Sequence, residues 1–477
     1  MWGTVWSLAD QLGVVARSRV ELVEALARDP RRAVIVLPDL HEEGAAELVL
    51  DLANVTDAQL IVESRTGSGA YRRLSGSGCA ELDLDLEQWR DQERFAKWRA
   101  SSAEGVEVSA PSSLGAEVAL SDPVAVCEAD PILVTAAYEK DEAGVHGGLR
   151  AAWLLAGQSL CREQSSAVRA LILLSVLGDR ADPRYAPVLK ELACGAAWGL
   201  EWSRVRGDMA PPWPGPVTAM ARGRGALAGC LLVAGVDSTV RTVRGMDSAA
   251  RGRVSVLGAR PAALTVLADG TVLFLDEHGQ LKLESAWTIG PERTGIAGLL
   301  DDGPTSAQRL GDVLRGQMGT SLGYAEGAGL GTVVLGDGFG YVRAFGDVTD
   351  SVLLHEGVVT SLAALSLPVG DEGTTVPLVY SGGQDGTVRV WSPGSKPMVG
   401  TLMRRSCPVV AMDAAWTAGG PTAVVAWADG LVEWINWETG VQQTLRPGPP
   451  VRAVALEADG RVFVGMDEAL TCFAPMP

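Results

Sequence analysis

The sequence predicts a multidomain protein: a partial parallel α/β unit, then a helical segment, then an all-β propeller. Three observations predict it. Strand and helix signals alternate in the first hundred residues. A proline-rich run from Met209 to Pro216 interrupts the chain. Beyond it, short apolar runs are punctuated by glycine turns at nearly constant spacing. A length of 477 residues leaves room for about three such units.

Residues 1–125 hold the α/β unit. Arg19–Arg28 puts Val20, Leu22, Val23 and Leu26 on one side at helical spacing. Ala33–Leu37 is a continuous apolar run of buried-strand type, stopped by Pro38. Helical spacing returns over Glu42–Asn54, and Gln59–Glu63 reads as a second strand, giving a βαβ unit. Cys79–Asp85 is a candidate third strand ahead of a charged helix at Glu87–Ala100. Residues 126–208 read as a small helical bundle, with segments at Gly148–Cys161, Ser165–Leu177 and Pro187–Ala193. Residues 209–216 have four prolines in their last six positions and read as a stiff linker.

Residues 217–477 are repetitive. The segment Asp385-Gly-Thr-Val-Arg-Val-Trp391 aligns with Asp237–Val243 and more loosely with segments opening at His278, Phe339, Asp429 and Asp467. Successive intervals are 41, 61, 46, 44 and 38 residues. Propeller blades run about 40–45 residues, so the long interval is one blade plus an insertion near Gly295–Gly319. Six blades are counted, and a disguised seventh is left open. In each, an apolar strand meets a tight turn that returns an alternating strand. The chain reaches Pro477 soon after the third strand of the last blade, so a closed ring calls for a strand from elsewhere. Leu200–Arg206 alternates and is expected to pair there.

This repeat resembles the WD-repeat family, and Leu354–Trp391 matches it best. The resemblance implies a hydrogen-bonded set of His355, Ser381, Asp385 and Trp391 inside one blade, a structural rather than catalytic role for His355, and a scaffolding function. Trp427, Trp434 and Trp437 are expected either to fill blades or to serve as interaction anchors on the rim.

The α/β unit resembles part of the signalling-type (STAND-like) P-loop NTPase module of actinobacterial NTPase/WD-repeat proteins. The likeness rests on Val34-Ile-Val-Leu-Pro-Asp-Leu-His-Glu-Glu43, on Leu60–Arg65 and on Leu82–Trp98. Where that family carries Asp residues for Mg²⁺ and water, Pro38 and His41 stand here, with Asp39 and Glu42 as the Walker-B-like remnant. No lysine follows a glycine, so the phosphate loop GxxxxGK[ST] is missing, and no nucleotide or other cofactor is expected. Thr66–Gly69 and Ser75–Gly78 read as flexible loops. The alternating Glu81, Asp83, Asp85 and Glu87 read as a solvated strand edge or a metal site.

The formal charge is −18, and both sides of Pro216 are acidic, which disfavours nucleic-acid binding. Seven cysteines without a CxxC pair argue against a disulfide framework or zinc site and suit a reducing interior. No signal peptide or membrane span is read, so a cytoplasmic location is expected. With four histidines, no Ser/His/Asp set can be assembled from spacing. The function expected is a non-catalytic protein–protein interaction scaffold or regulatory adaptor in bacterial signalling or defence. One alternative is an enzyme or small-ligand binder using the central channel, disfavoured because the candidate inner strands are nearly all apolar. Another is a decayed or truncated NTPase/WD-repeat protein.

Overall fold

A computed structural model describes residues 2–29, 31–38, 40, 43–55, 58–84, 86, 118–142, 144–206, 213–255, 259–284, 306–369 and 374–476. The chain forms two compact units, residues 1–5 with 18–119, and residues 6–17 with 120–477.

In the first unit, helix α2 (Arg19–Arg28) starts where the Ser18 hydroxyl accepts from the Glu21 amide, an N-cap. Strands β1 (Ala33–Leu37) and β2 (Ala58–Val62) pair in parallel, Ala33 opposite Ala58, joined by helix α3 (Glu43–Leu52). Ile35 and Leu37 of β1 are buried while Val34 and Val36 are exposed. Helix α4 (Gly69–Leu74) is tied to α3 by Arg73 on Glu47. Residues 79–84 are not a strand, contrary to their alternation. Leu82 and Leu84 lie exposed, and the segment is held by Tyr71 donating to Glu81 rather than by a ladder. Alternation alone makes no strand when no neighbour accepts its backbone. Asp39, His41, Glu42, Asp85, Glu87 and the charged helix lie outside the described residues.

The second unit begins within helix α1 (Trp2–Leu12), whose residues from Trp6 onward join a helical layer. That layer comprises α5 (Pro123–Glu128), α6 (Pro131–Lys140), α7 (Leu149–Leu160), α8 (Ser166–Val176) and α9 (Tyr185–Leu192). Asp122 and Asp130 cap α5 and α6 ahead of proline at the first helical positions. Gln158, buried on α7, donates to Asp10 and to the Val14 carbonyl and accepts from the Ala16 amide. Arg162 adds an ion pair to Asp10 at 2.6 Å.

Beyond Pro216 the chain makes a six-bladed propeller. The innermost strands are Val217–Arg222, Pro261–Val266, Ser321–Ala325, Val359–Val369, Val409–Thr417 and Val451–Leu456. Each neighbours the next, and the sixth neighbours the first, which closes the ring and excludes a seventh blade. Five sheets have four strands, and blade two has three among the described residues. Every one of the six predicted repeat turns joins the second and third strands of a blade. The described part of the insertion carries helix α10 (Ser306–Val313), between blades two and three.

Blade six takes its outer strand from upstream of the linker. Strand β3 (Trp198–Val205) pairs antiparallel with Ala469–Pro475, Val205 opposite Ala469 and Trp198 opposite Pro475. It also reaches both neighbours. Trp198 donates to the Thr444 carbonyl of blade five at 3.0 Å. Trp202 donates to the Gly245 carbonyl of blade one at 2.8 Å, and Arg204 to Ser248 at 2.8 Å.

The helical layer covers one propeller face at blades five and six. Arg17 pairs with Glu468 at 2.7 Å, and Gly430 sits against Val15. At Gly448, φ is +114°, and a Cβ there would lie 2.5 Å from that of Ala156 on α7. Gly448→Val is therefore expected to destabilise the protein by about 3 kcal/mol or more, through strain and overpacking together. Denaturant melts check this, and a cost under about 1 kcal/mol would show that the helices do not press on the ring.

Candidate functional site: the two faces of the propeller

Because strands in each blade alternate direction, the first-to-second and third-to-fourth connections share one face. The second-to-third turns and the blade-to-blade connections share the other. We call these the open face and the turn face.

On the turn face, blade four holds three of the four residues of the expected set. His355 is buried, its Nε2 2.9 Å from Ser381 Oγ and its Nδ1 3.1 Å from both Asp385 Oδ1 and Thr387 Oγ1. Burial alone would raise the Asp385 carboxyl. The hydrogen bonds from His355, Thr387 and the Glu356 amide outweigh it and hold the group well below the usual carboxylate range. Trp391 is not a member. Its indole N–H donates to the Ser395 carbonyl at 3.1 Å, and its ring is buried between blades three and four. The register explains this, since Ser381 stands opposite Arg389 and Trp391 opposite Val379, while the chain after Trp391 folds back to offer a nearer acceptor.

The other five blades retain the turn carboxylate and pair it with a cation. The pairs are Asp237–Arg241 (2.8 Å), Asp276–Lys282 (2.9 Å), Asp337–Arg343 (2.9 Å), Asp429 with Arg405 and Arg446 (2.7 and 2.8 Å), and Asp467–Arg452 (2.7 Å). In blades one to three the cation follows the turn at the position of Arg in the repeat. That was the sequence signal for this substitution.

None of the three singled-out tryptophans anchors the rim. Trp427 is buried and donates to Glu433 at 2.6 Å; Trp434 is buried; Trp437 is half-buried and stacks on Tyr380. They fill blades, as large aromatics do. Among the described residues the exposed indole belongs to Trp416, at the open end of the inner strand of blade five. Around the same face lie exposed Met246, Val369, Met398, Val399 and Val441.

The central channel opens on this face as a cavity of about 480 Å³. Farther in, the bore narrows to about 60 Å³ between Met220, Leu264, Leu322, Leu362, Met412 and Val454, one from each inner strand. Those six side chains are apolar as the inner strands imply, but Arg222, Arg224, Thr265 and Asp413 line the same space, and the mouth is charged as well. Arg222 and Arg224 stand just past the VTAMA run. Arg222 donates to Asp413 at 3.2 Å and to the Ala414 carbonyl at 2.8 Å. Asp413 also accepts from the Leu456 and Ala414 amides, so it bridges blades one, five and six.

Away from the propeller, the fold does assemble a Ser–His–Asp chain that spacing did not reveal. His146 Nδ1 lies 3.1 Å from Ser121 Oγ and its Nε2 3.0 Å from Asp141 Oδ2. Helices α5 and α6 lie between positions 121 and 141, and a left-handed backbone at His146 (φ 45°) accompanies the placing of its ring between them. Tyr185 donates to the Ser121 carbonyl, and Val124 N–H is taken by Asp122.

Among the described residues no helix is long and apolar enough to cross a membrane. No family model and no curated protein matches the chain.

Proposed function

We propose that this chain is a non-catalytic interaction protein of WD-repeat type, which docks a protein partner on the open face of its propeller. The asymmetry of the two faces carries this reading. The turn face is partly covered by the chain's own helices at blades five and six, while the open face presents Trp416, Met398, Val399 and Met246 to solvent. Exposed Trp and Met are characteristic of interfaces. A bacterial signalling or defence setting follows from the NTPase/WD-repeat resemblance, as analogy. All seven cysteines are free thiols, which supports a reducing, cytoplasmic location.

The test is affinity capture with the full chain. Trp416→Ala combined with Val399→Asp is expected to lower recovery of the principal partner about tenfold or more. Phe339→Asp, exposed on the turn face, is expected to leave it unchanged. Equal recovery with both variants would overturn the assignment of the face. For the non-catalytic reading, the Ser121–His146–Asp141 chain is the sharpest check. An acyl-transfer nucleophile also needs free donors for an oxyanion, and the Val124 amide beside Ser121 is already engaged. A fluorophosphonate probe is expected to leave Ser121 unlabelled, and labelling abolished by His146→Ala would establish a reactive serine instead.

A further inference from the structure

We propose that the mouth of the central channel binds a small monocarboxylate with an apolar body, held by Arg224. This concerns the cavity, which shares Trp416 with the proposed docking rim. Of the two arginines there, Arg222 is committed to Asp413, which also accepts from two backbone amides. Arg224 is not. Its guanidinium lies over the Tyr324 ring at 5.3 Å from the centroid, and its one hydrogen bond among the described residues is to the Tyr324 carbonyl at 3.5 Å. Burial, and then the like charge of Arg222, push its pKa down, with Asp413, Tyr324 and Glu326 opposing. A desolvated cation ordinarily has an anionic partner, and a guanidinium offers a carboxylate two parallel N–H donors.

The rest of the cavity sets the class of ligand. Its volume, about 480 Å³, falls within the roughly 300–1,000 Å³ of small-molecule sites. Beneath it, apolar side chains from all six inner strands narrow the bore beside Arg222, Arg224 and Asp413. Trp416 supplies an apolar wall, and Ser366 and Thr375 also line it, the Ser366 hydroxyl donating to the Glu326 carbonyl. Glu326 stands on the same lining, and its charge opposes a second negative charge on the ligand, which favours a monocarboxylate over phosphate.

Calorimetric titration of the full-length protein with phenylacetate is the test, with inorganic phosphate as comparison. Saturable one-to-one binding is expected at about 1 mM or below, with phosphate weaker. Arg224→Leu removes a half-buried charge, so it is expected to melt no lower than the parent while losing affinity about tenfold or more. Glu326→Gln, an exposed change, is expected to tighten binding of phenylacetate and of phosphate. Absence of saturation with phenylacetate, phosphate binding as tightly as phenylacetate, or unchanged affinity in Arg224→Leu would each overturn the proposal.

Discussion

Trp198→Ala is expected to cost about 3–5 kcal/mol of stability, the range for deleting a large buried aromatic. Trp198 is 3% exposed and stands at the start of the one blade strand that, among the described residues, comes from before the linker. Its indole donates to the Thr444 carbonyl, so one side chain holds the closing strand to the neighbouring blade as well as to its own. Its removal leaves a cavity, an unsatisfied carbonyl and a loosened outer strand at once. Guanidinium melts give the free energy, and hydrogen exchange locates it. Protection is expected to fall first along Ala469–Pro475. A loss below about 1 kcal/mol, or exchange that rises uniformly around the ring, would show that closure does not depend on this contact.

His355→Ala is expected to cost about 2–4 kcal/mol at neutral pH, because it takes a partner from buried Ser381 and Thr387 and from partly buried Asp385. The cost is expected to depend on pH in a defined direction. The Asp385 carboxyl is held below its ordinary value in the folded protein. Its contribution is therefore complete above the unfolded value of about 3.9 and is lost as pH falls below that toward the native pKa. Removing His355 removes one of the bonds that depress it. The parent should thus lose more stability than the variant between pH 5 and about pH 2, and the two melting curves should converge on acidification. Parallel curves across that interval would mean that Asp385 is held by Thr387 and the Glu356 amide without the imidazole. Trp391→Phe is the matching control. It keeps an aromatic ring but leaves a small void and gives up the bond to Ser395, so a cost of about 1–3 kcal/mol is expected.

Much of the architecture was legible because it is written locally. The six turns could be placed from single glycines and aspartates, since a tight turn between alternating strands has few chemical solutions. Arg19–Arg28 and Ala33–Leu37 could be placed to the residue from period and a bounding proline. The pairing of Leu200–Arg206 was accessible for a different reason, that an unpaired strand in a ring of sheets needs a partner. Features fixed by non-local geometry were not legible. Cys79–Asp85 has strand alternation, yet the described part of it has no ladder. Trp391 has the right spacing for the blade set, but a neighbouring carbonyl takes its N–H. The charged mouth was hidden because the inner strands themselves are apolar, and Arg222 and Arg224 come where those runs end. Helix α1 is as amphipathic as α2, but the residues that hold its second half, Gln158 and Arg162, lie some 150 positions away.

Ring closure has a kinetic consequence. Val205 and Ala469 meet across more than 260 intervening positions, so this pairing carries the largest loop-entropy penalty among the blade contacts and belongs to the slow, topologically demanding steps of folding. Until it forms, Ala469–Pro475 offers an unpaired edge to any other strand. Two copies caught in that state could exchange β3 between them, each completing the other's ring. Dilute refolding should therefore yield single rings, and concentrated refolding a strand-swapped dimer that dissociates only through unfolding.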